Sequence, residues 1–132
     1  MKTLITTLLT ALLGASAPTM AQSPQYKQAM TDALTTMNNF RGQPSATDLL
    51  TIANQFQRIA TVESGEWLPR YYAGLNYVYL GFMGKDQAEK DKYLDQADMN
   101  LKAAEAISPK NDELAVLKAY VAQARKIGRA HV

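Results

Sequence analysis

The segment from Trp67 to Phe82 constrains the fold more than any other part of the chain. Arg70 and Asn76 are its only plainly polar side chains. Placed on a helix, Trp67, Leu68, Tyr71, Tyr72, Leu75, Tyr77, Val78, Tyr79 and Leu80 occupy almost the whole circumference. A helix that is apolar on all sides has to be packed on all sides. The sequence therefore predicts a central helix with other elements around it. Gly74 allows one neighbour to approach closely, at about 1 kcal/mol of helix propensity. Gly81 and Gly84 mark its end.

The flanking segments are also helical, with apolar residues at spacings of three and four and no alternating strand pattern. Pro24 opens a first helix with Tyr26, Met30, Ala33, Leu34 and Met37 on one side, and a Gly-Pro loop from Asn38 to Pro44 ends it. Ser45 and Asp48 start a second helix, buried along Leu49, Ile52, Ala53, Phe56, Ile59 and Ala60. Ser64-Gly65 precedes the central helix, expected from Glu66, where Pro69 fits the first turn. Asp86 and Glu89 resemble a capping box for a fourth helix, with Ala97, Leu101, Ala104 and Ile107 as its buried stripe and Tyr93 and Leu94 beginning it. Asp86–Lys90 and Asp98–Lys102 are acid-then-base pairs at i,i+4. After the break at Ser108 to Asn111, Asp112 is the expected cap of a fifth helix carrying Leu114, Leu117, Tyr120, Val121 and Ala124. The expected fold class is all-α, about five helices in stacked antiparallel pairs.

The two ends read differently from the middle. Met1-Lys2, the apolar run from Leu4 to Leu13 and the small residues up to Ala21 form a secretory signal pattern. Pro18 disfavours cleavage after Ala17, so the expected mature start is Gln22. Ten apolar residues are too few to span a bilayer, and with no Cys after the run there is no site for a lipid anchor. The expected location is the periplasm or outside the cell. At the other end, Ile127-Gly128-Arg129-Ala130-His131-Val132 is what a string resembling a common sequencing adapter would encode. Residues 126–132 are therefore read as an artefactual tail, with Arg125 the last residue of a truncated frame. Gln22 to Arg125 holds 11 basic and 12 acidic residues, a net −1, without the excess basic charge that nucleic-acid binding requires.

Self-alignment at an offset of 44 residues pairs Ala53 with Ala97, Ala60 with Ala104, and Arg58 with Lys102, as in a repeat array. Ala97, Ala104 and Pro109 stand at the spacing of the second-helix Ala, Ala and closing Pro of the tetratricopeptide-repeat family, which the chain resembles over Thr47 to Arg125. In that register Tyr72, Leu75 and Tyr79 take the first-helix packing positions. Asn76 stands where the family has Gly, and Phe82 to Lys92 is about ten residues longer than the family's turn. Trp67-Leu68-Pro69, Tyr71-Tyr72 and Asp112-Glu113 also resemble secreted repeat proteins of Bacteroidota-type bacteria. The resemblance implies a right-handed solenoid fragment. Its packing residues would be Trp67, Tyr72, Leu75, Tyr79, Ala97, Ala104 and Pro109, and its concave groove would be faced by Arg70, Tyr77, Glu113 and Tyr120.

Candidate chemistry is sparse. Without Cys, and with His131 in the discounted tail, there is no triad base and no zinc or haem ligand set. Asp86 to Asp98 lacks the spacing of a calcium loop, and no Gly-Lys-Ser/Thr phosphate loop occurs. Glu63 and Glu66 could pair as acid and base, but they flank a helix start, where acids are expected anyway. No cofactor is expected. The tyrosines and Trp67 either fill the core or stack on a peptide or sugar, and Arg70 could fork onto a carboxylate. The expected function is non-catalytic binding of a protein or peptide partner, with no nucleic acid and no membrane span. The alternatives are a glycan-binding accessory protein of the outer membrane and the N-terminal helical part of a longer enzyme. With the fifth helix uncovered on one side, Gln22 to Arg125 alone is expected to be marginally stable or to self-associate.

Overall fold

A computed structural model describes residues 21–130. Except for Ala21, the signal segment expected at residues 1–21 lies outside the described residues, as do His131 and Val132. The described chain is all-helical, in the order α1 (Pro24–Asn38), α2 (Ala46–Val62), α3 (Leu68–Met83), α4 (Gln87–Ile107) and α5 (Asp112–Ala130). None of these helices is long and apolar enough to cross a membrane. α5 continues through Lys126 to Ala130, and Gly128 is buried with Gln87 beside it.

The helix starts follow local chemistry. Ser23 caps α1, its hydroxyl accepting from the Tyr26 amide at 3.0 Å. At α2 the Ser45 and Asp48 side chains close a reciprocal capping box. At α4 the Asp86 carboxylate accepts from the Glu89 amide at 2.8 Å, while Glu89 reaches back one residue further, to the Lys85 amide. At α5 the cap is Asn111 rather than Asp112: its Oδ1 accepts from the amides of Glu113 (3.0 Å) and Leu114 (3.3 Å). Asp112 instead begins the helix, where its charge complements the dipole.

Successive helices are antiparallel neighbours. Gly74 of α3 lies against Ala97 and Asn100, and Gly81 further along α3 lies against Leu94, so numbers rise on one helix as they fall on the other. The same crossing pattern relates α4 to α5 through Glu105–Lys118 and Asp91–Arg125. α1, α3 and α5 therefore run parallel as one layer, and α2 and α4 form the other. α3 packs most extensively on α4 and α2 and also meets α5, so it is the central helix its composition requires.

Two buried clusters hold the layers together. Tyr26, Met30, Ala33, Ile52, Phe56, Ile59 and Ala73 join α1 to α2 and α3. Leu80, Leu94, Leu101, Leu114, Leu117 and Val121 lead the second, which runs from α2 to α5. Each fully buried large side chain stabilises by about 1.5–3 kcal/mol. Between α4 and α5, Arg125 spans Asp98 (2.6 Å), Asp95 (2.8 Å) and Asp91 (3.7 Å). Asp98 thus bonds across to α5 instead of pairing with Lys102 along α4. Such partly exposed pairs contribute about 1 kcal/mol or less each, so the network orients α5 while the apolar clusters supply the stability. Asn76 and Asn100 are buried with their amides bonded to carbonyls four residues back, of Tyr72 and Gln96, and with both Oδ1 atoms unpaired.

Of the expected packing residues, Ala97 and Ala104 are fully buried, and Trp67, Tyr72 and Leu75 are half-buried against the clusters. Pro109 is exposed just past the end of α4, where its missing amide hydrogen cannot continue the helix. Ile107, expected in the α4 stripe, is 36% exposed in the last turn, beyond the reach of α3 and α5.

A Cβ on Gly81 would fall 2.7 Å from Leu94 Cδ2 and 2.9 Å from its Cγ, with Leu94 locked in the core. Gly81→Ala is expected to destabilise by about 1–3 kcal/mol through overpacking, although alanine is the better helix former. Urea unfolding checks this, and an unchanged or higher midpoint would contradict the close α3–α4 approach.

Candidate functional site

The position of each α3 side chain follows from the two glycines. Residues 70, 74, 77 and 81 share one side of a helix. Because Gly81 lets α4 in and Gly74 takes Leu117 of α5 beside it, that side is committed to packing. Tyr77, expected to face the groove, is therefore buried at 5% exposure. Its hydroxyl donates to Gln57 Oε1 (3.2 Å) and Asn54 Oδ1 (3.3 Å) of α2, and its ring stacks on Tyr93 of α4. Burial, and then Tyr93, holds its phenol above the usual range. Arg70 lies on this same side, in the first turn of α3, and is half-buried.

The opposite side of α3 is the open one. Tyr79, expected to pack, is 45% exposed there, followed by Phe82 and Met83. The physical reason is the same glycine pair: with α4 seated on the Gly74–Gly81 side, residue 79 points nearly opposite to it. The spacing Gly74-Tyr77-Gly81 is the sequence signal that distinguishes the two tyrosines.

α5 supplies the second wall. Leu117 touches Gly74, so Tyr71 stands level with the Glu113–Leu114 turn. Leu114, Leu117, Val121 and Ala124 are buried, and Arg125 and Lys118 turn toward α4. Glu113, Val116, Tyr120 and Ile127 occupy the other flank and are exposed. Burial, then the Glu113 carboxylate and the hydroxyls of Tyr72, Tyr79 and Tyr120, raises the Tyr71 phenol. Residues of α3 and α5 are thus electrostatic neighbours across one groove. Of the four expected groove residues, the structure brings Glu113 and Tyr120 together and leaves Arg70 and Tyr77 on the other side of α3.

The residues that replace them are Tyr71, Tyr79 and Phe82. Trp67 and Tyr71 meet edge to face with centroids 6.2 Å apart, and Tyr71 meets Tyr72 edge to face at 5.1 Å. Tyr72 stacks on Phe56, which keeps it in the core. At the Tyr79 end of the strip an open cavity of about 270 Å³ lies between the end of α3 and the start of α2, lined by Gln43, Pro44, Leu49, Tyr79, Phe82 and Met83. From Tyr71 to Phe82 the strip is about 16 Å long, the span of about five residues of extended peptide. Its chemistry is ring faces, aliphatic carbons and phenol hydroxyls, with one carboxylate at one end. A second cavity, of about 250 Å³ between α1 and α2, is lined by Tyr26, Ala29, Ile59 and Val62. The nearby Tyr26 phenol is pushed up to about 12, first by burial and then by Glu66, whose carboxylate is close but outside hydrogen-bond geometry.

Comparison with family models, with curated proteins and with solved structures finds no match to this chain.

Tyr77→Ala is expected to cost about 3 kcal/mol, because it opens a cavity and leaves Asn54 and Gln57 without their donor. Tyr120→Ala, on the open strip, should stay within about 0.5 kcal/mol of the parent. Thermal melts of the two variants test this division, and equal losses would contradict it.

Proposed function

We propose that this protein is an exported, non-catalytic helical-repeat scaffold of the tetratricopeptide type that binds a peptide or protein segment in the α3–α5 groove. One observation carries this reading: Tyr79 and Phe82 of α3 and Val116 and Tyr120 of the neighbouring α5 are each 44–52% exposed, and Tyr79 and Phe82 also line an apolar cavity. Contiguous exposed apolar surface of this kind marks interaction sites. Rigid aromatic side chains lose little conformational entropy on binding, so they make effective anchors. The helices beneath are locked by the glycine contacts and the Arg125 network, so the groove is displayed preformed. Glycan stacking is the weaker reading, because Trp67, the best sugar platform, is half-buried against the core and engaged edge-on by Tyr71.

Panning a random heptapeptide library on the chain should enrich peptides that bind the parent and lose about tenfold or more in affinity for the Tyr79→Ala/Tyr120→Ala double variant. Failure to enrich any peptide, or indifference to the double substitution, would overturn the groove reading.

Export is proposed from the signal pattern, with cleavage between Ala21 and Gln22 and a periplasmic or secreted mature form. Expression in a Gram-negative host and N-terminal sequencing of the periplasmic product should return Gln22 first. An intact Met1 on that product would contradict it.

A further inference from the structure

The displacement of Arg70 from the groove reverses the sign of the charge a ligand meets there. Among the described residues the acids other than Asp112 and Glu113 are engaged, and Asp112 stands in the first turn of α5, where the helix dipole favours it. Asp95 and Asp98 hold Arg125, Glu105 pairs with Lys118, Glu63 accepts from Ser23, and Asp48, Asp86 and Glu89 close helix starts. Glu113 differs. It is exposed, its carboxylate accepts no hydrogen bond, and no Lys or Arg among the described residues lies within ion-pair distance. The start of α5 does not depend on it, since Asn111 takes the free amides there.

Its surroundings are aromatic. Tyr120 stands seven residues along the same flank of α5, and the Gly74–Leu117 contact sets Tyr71 level with Glu113 across the groove. Ring faces attract a cation through their quadrupole, and a carboxylate beside them adds a Coulomb attraction. An acidic ligand would meet repulsion at the same place.

We infer that the Tyr71–Glu113–Tyr120 end of the groove seats the side chain of a Lys or Arg from an extended, otherwise apolar peptide of about five residues. The other end of that peptide inserts an apolar side chain into the cavity beside Phe82 and Met83. This rests on the groove reading and adds the charge, the length and the polarity of the partner.

The heptapeptides enriched by panning provide the test. They are expected to carry one basic residue next to apolar ones. Replacing that basic residue with norleucine or Glu in a synthetic copy should weaken binding by about tenfold or more. Glu113→Gln should weaken the parent peptide to a similar degree and leave the norleucine copy unchanged, with helicity by circular dichroism intact. If the parent and norleucine copies bind equally and Glu113→Gln has no effect, the cation site is overturned. The groove reading then still stands, provided the Tyr79/Tyr120 double variant loses binding. If no peptide is enriched, the groove reading fails and this inference fails with it. Sedimentation that shows a dimer dissolved by Tyr120→Ala would assign the strip to a second copy and overturn the peptide occupant.

Discussion

The close approach of α4 to α3 at Gly74 and Gly81 is the contact on which the rest of the architecture depends. An added carbon at Gly81 would run into Leu94 of α4 at 2.7 Å, while one at Gly74 would press on Leu117 of α5 at 3.1 Å and meet α4 only at ordinary contact distance, 3.6 Å. Because protein interiors pack at crystal-like density, such a contact is either present or lost and does not stretch. It places Leu94, Ala97 and Leu101 against α3, and these in turn receive Leu114, Leu117 and Val121 of α5. A central helix that gives one side to α4 and another to α2 has one long side remaining, and that side becomes the groove.

The groove follows from that geometry without any residue being dedicated to chemistry. α3 and α5 run parallel because the chain reverses twice between them, into and out of α4, so their open flanks lie side by side. Arg125, held by three aspartates of α4, sets the rotation of α5 so that Glu113, Val116 and Tyr120 face α3 and Lys118 faces α4. Ion pairs this exposed add little stability, but three carboxylates converging on one guanidinium specify an orientation. The groove is therefore apolar and aromatic along its length and carries its charge at one end.

Much of the fold can be read along the chain, because each helix carries its own evidence. The capping box at Ser45 and Asp48, the stripe from Leu49 to Ala60, and the break at Ser108 to Asn111 are local features with local causes. The buried residues of α2 match the expected stripe in full, since 3.6-residue periodicity alone decides them. Asp112 was legible as a helix-start residue but not as distinct from Asn111, because both can cap and only the backbone path decides which side chain reaches the free amides. Exposure was only partly legible: of the residues the repeat register points outward, Glu113 and Tyr120 are exposed and Tyr77 is buried, while Tyr79, which it points inward, is exposed.

By itself the sequence determined the number of helices, their approximate limits, the central place of α3 and the all-α class, because periodicity, caps and breakers act within one or two turns. Only the tertiary structure decided which side of α3 is open, where Arg70 stands, and that Glu113 is the charge in the groove. The physical reason is that α3 is apolar all round, so its hydrophobic pattern contains no distinction between a packed and an exposed side, and the glycine spacing gains meaning only once a neighbour is seated on it. That distinction arises only when a neighbour chooses the side with the glycines, and closeness of approach is a property of two helices that neither sequence segment carries alone.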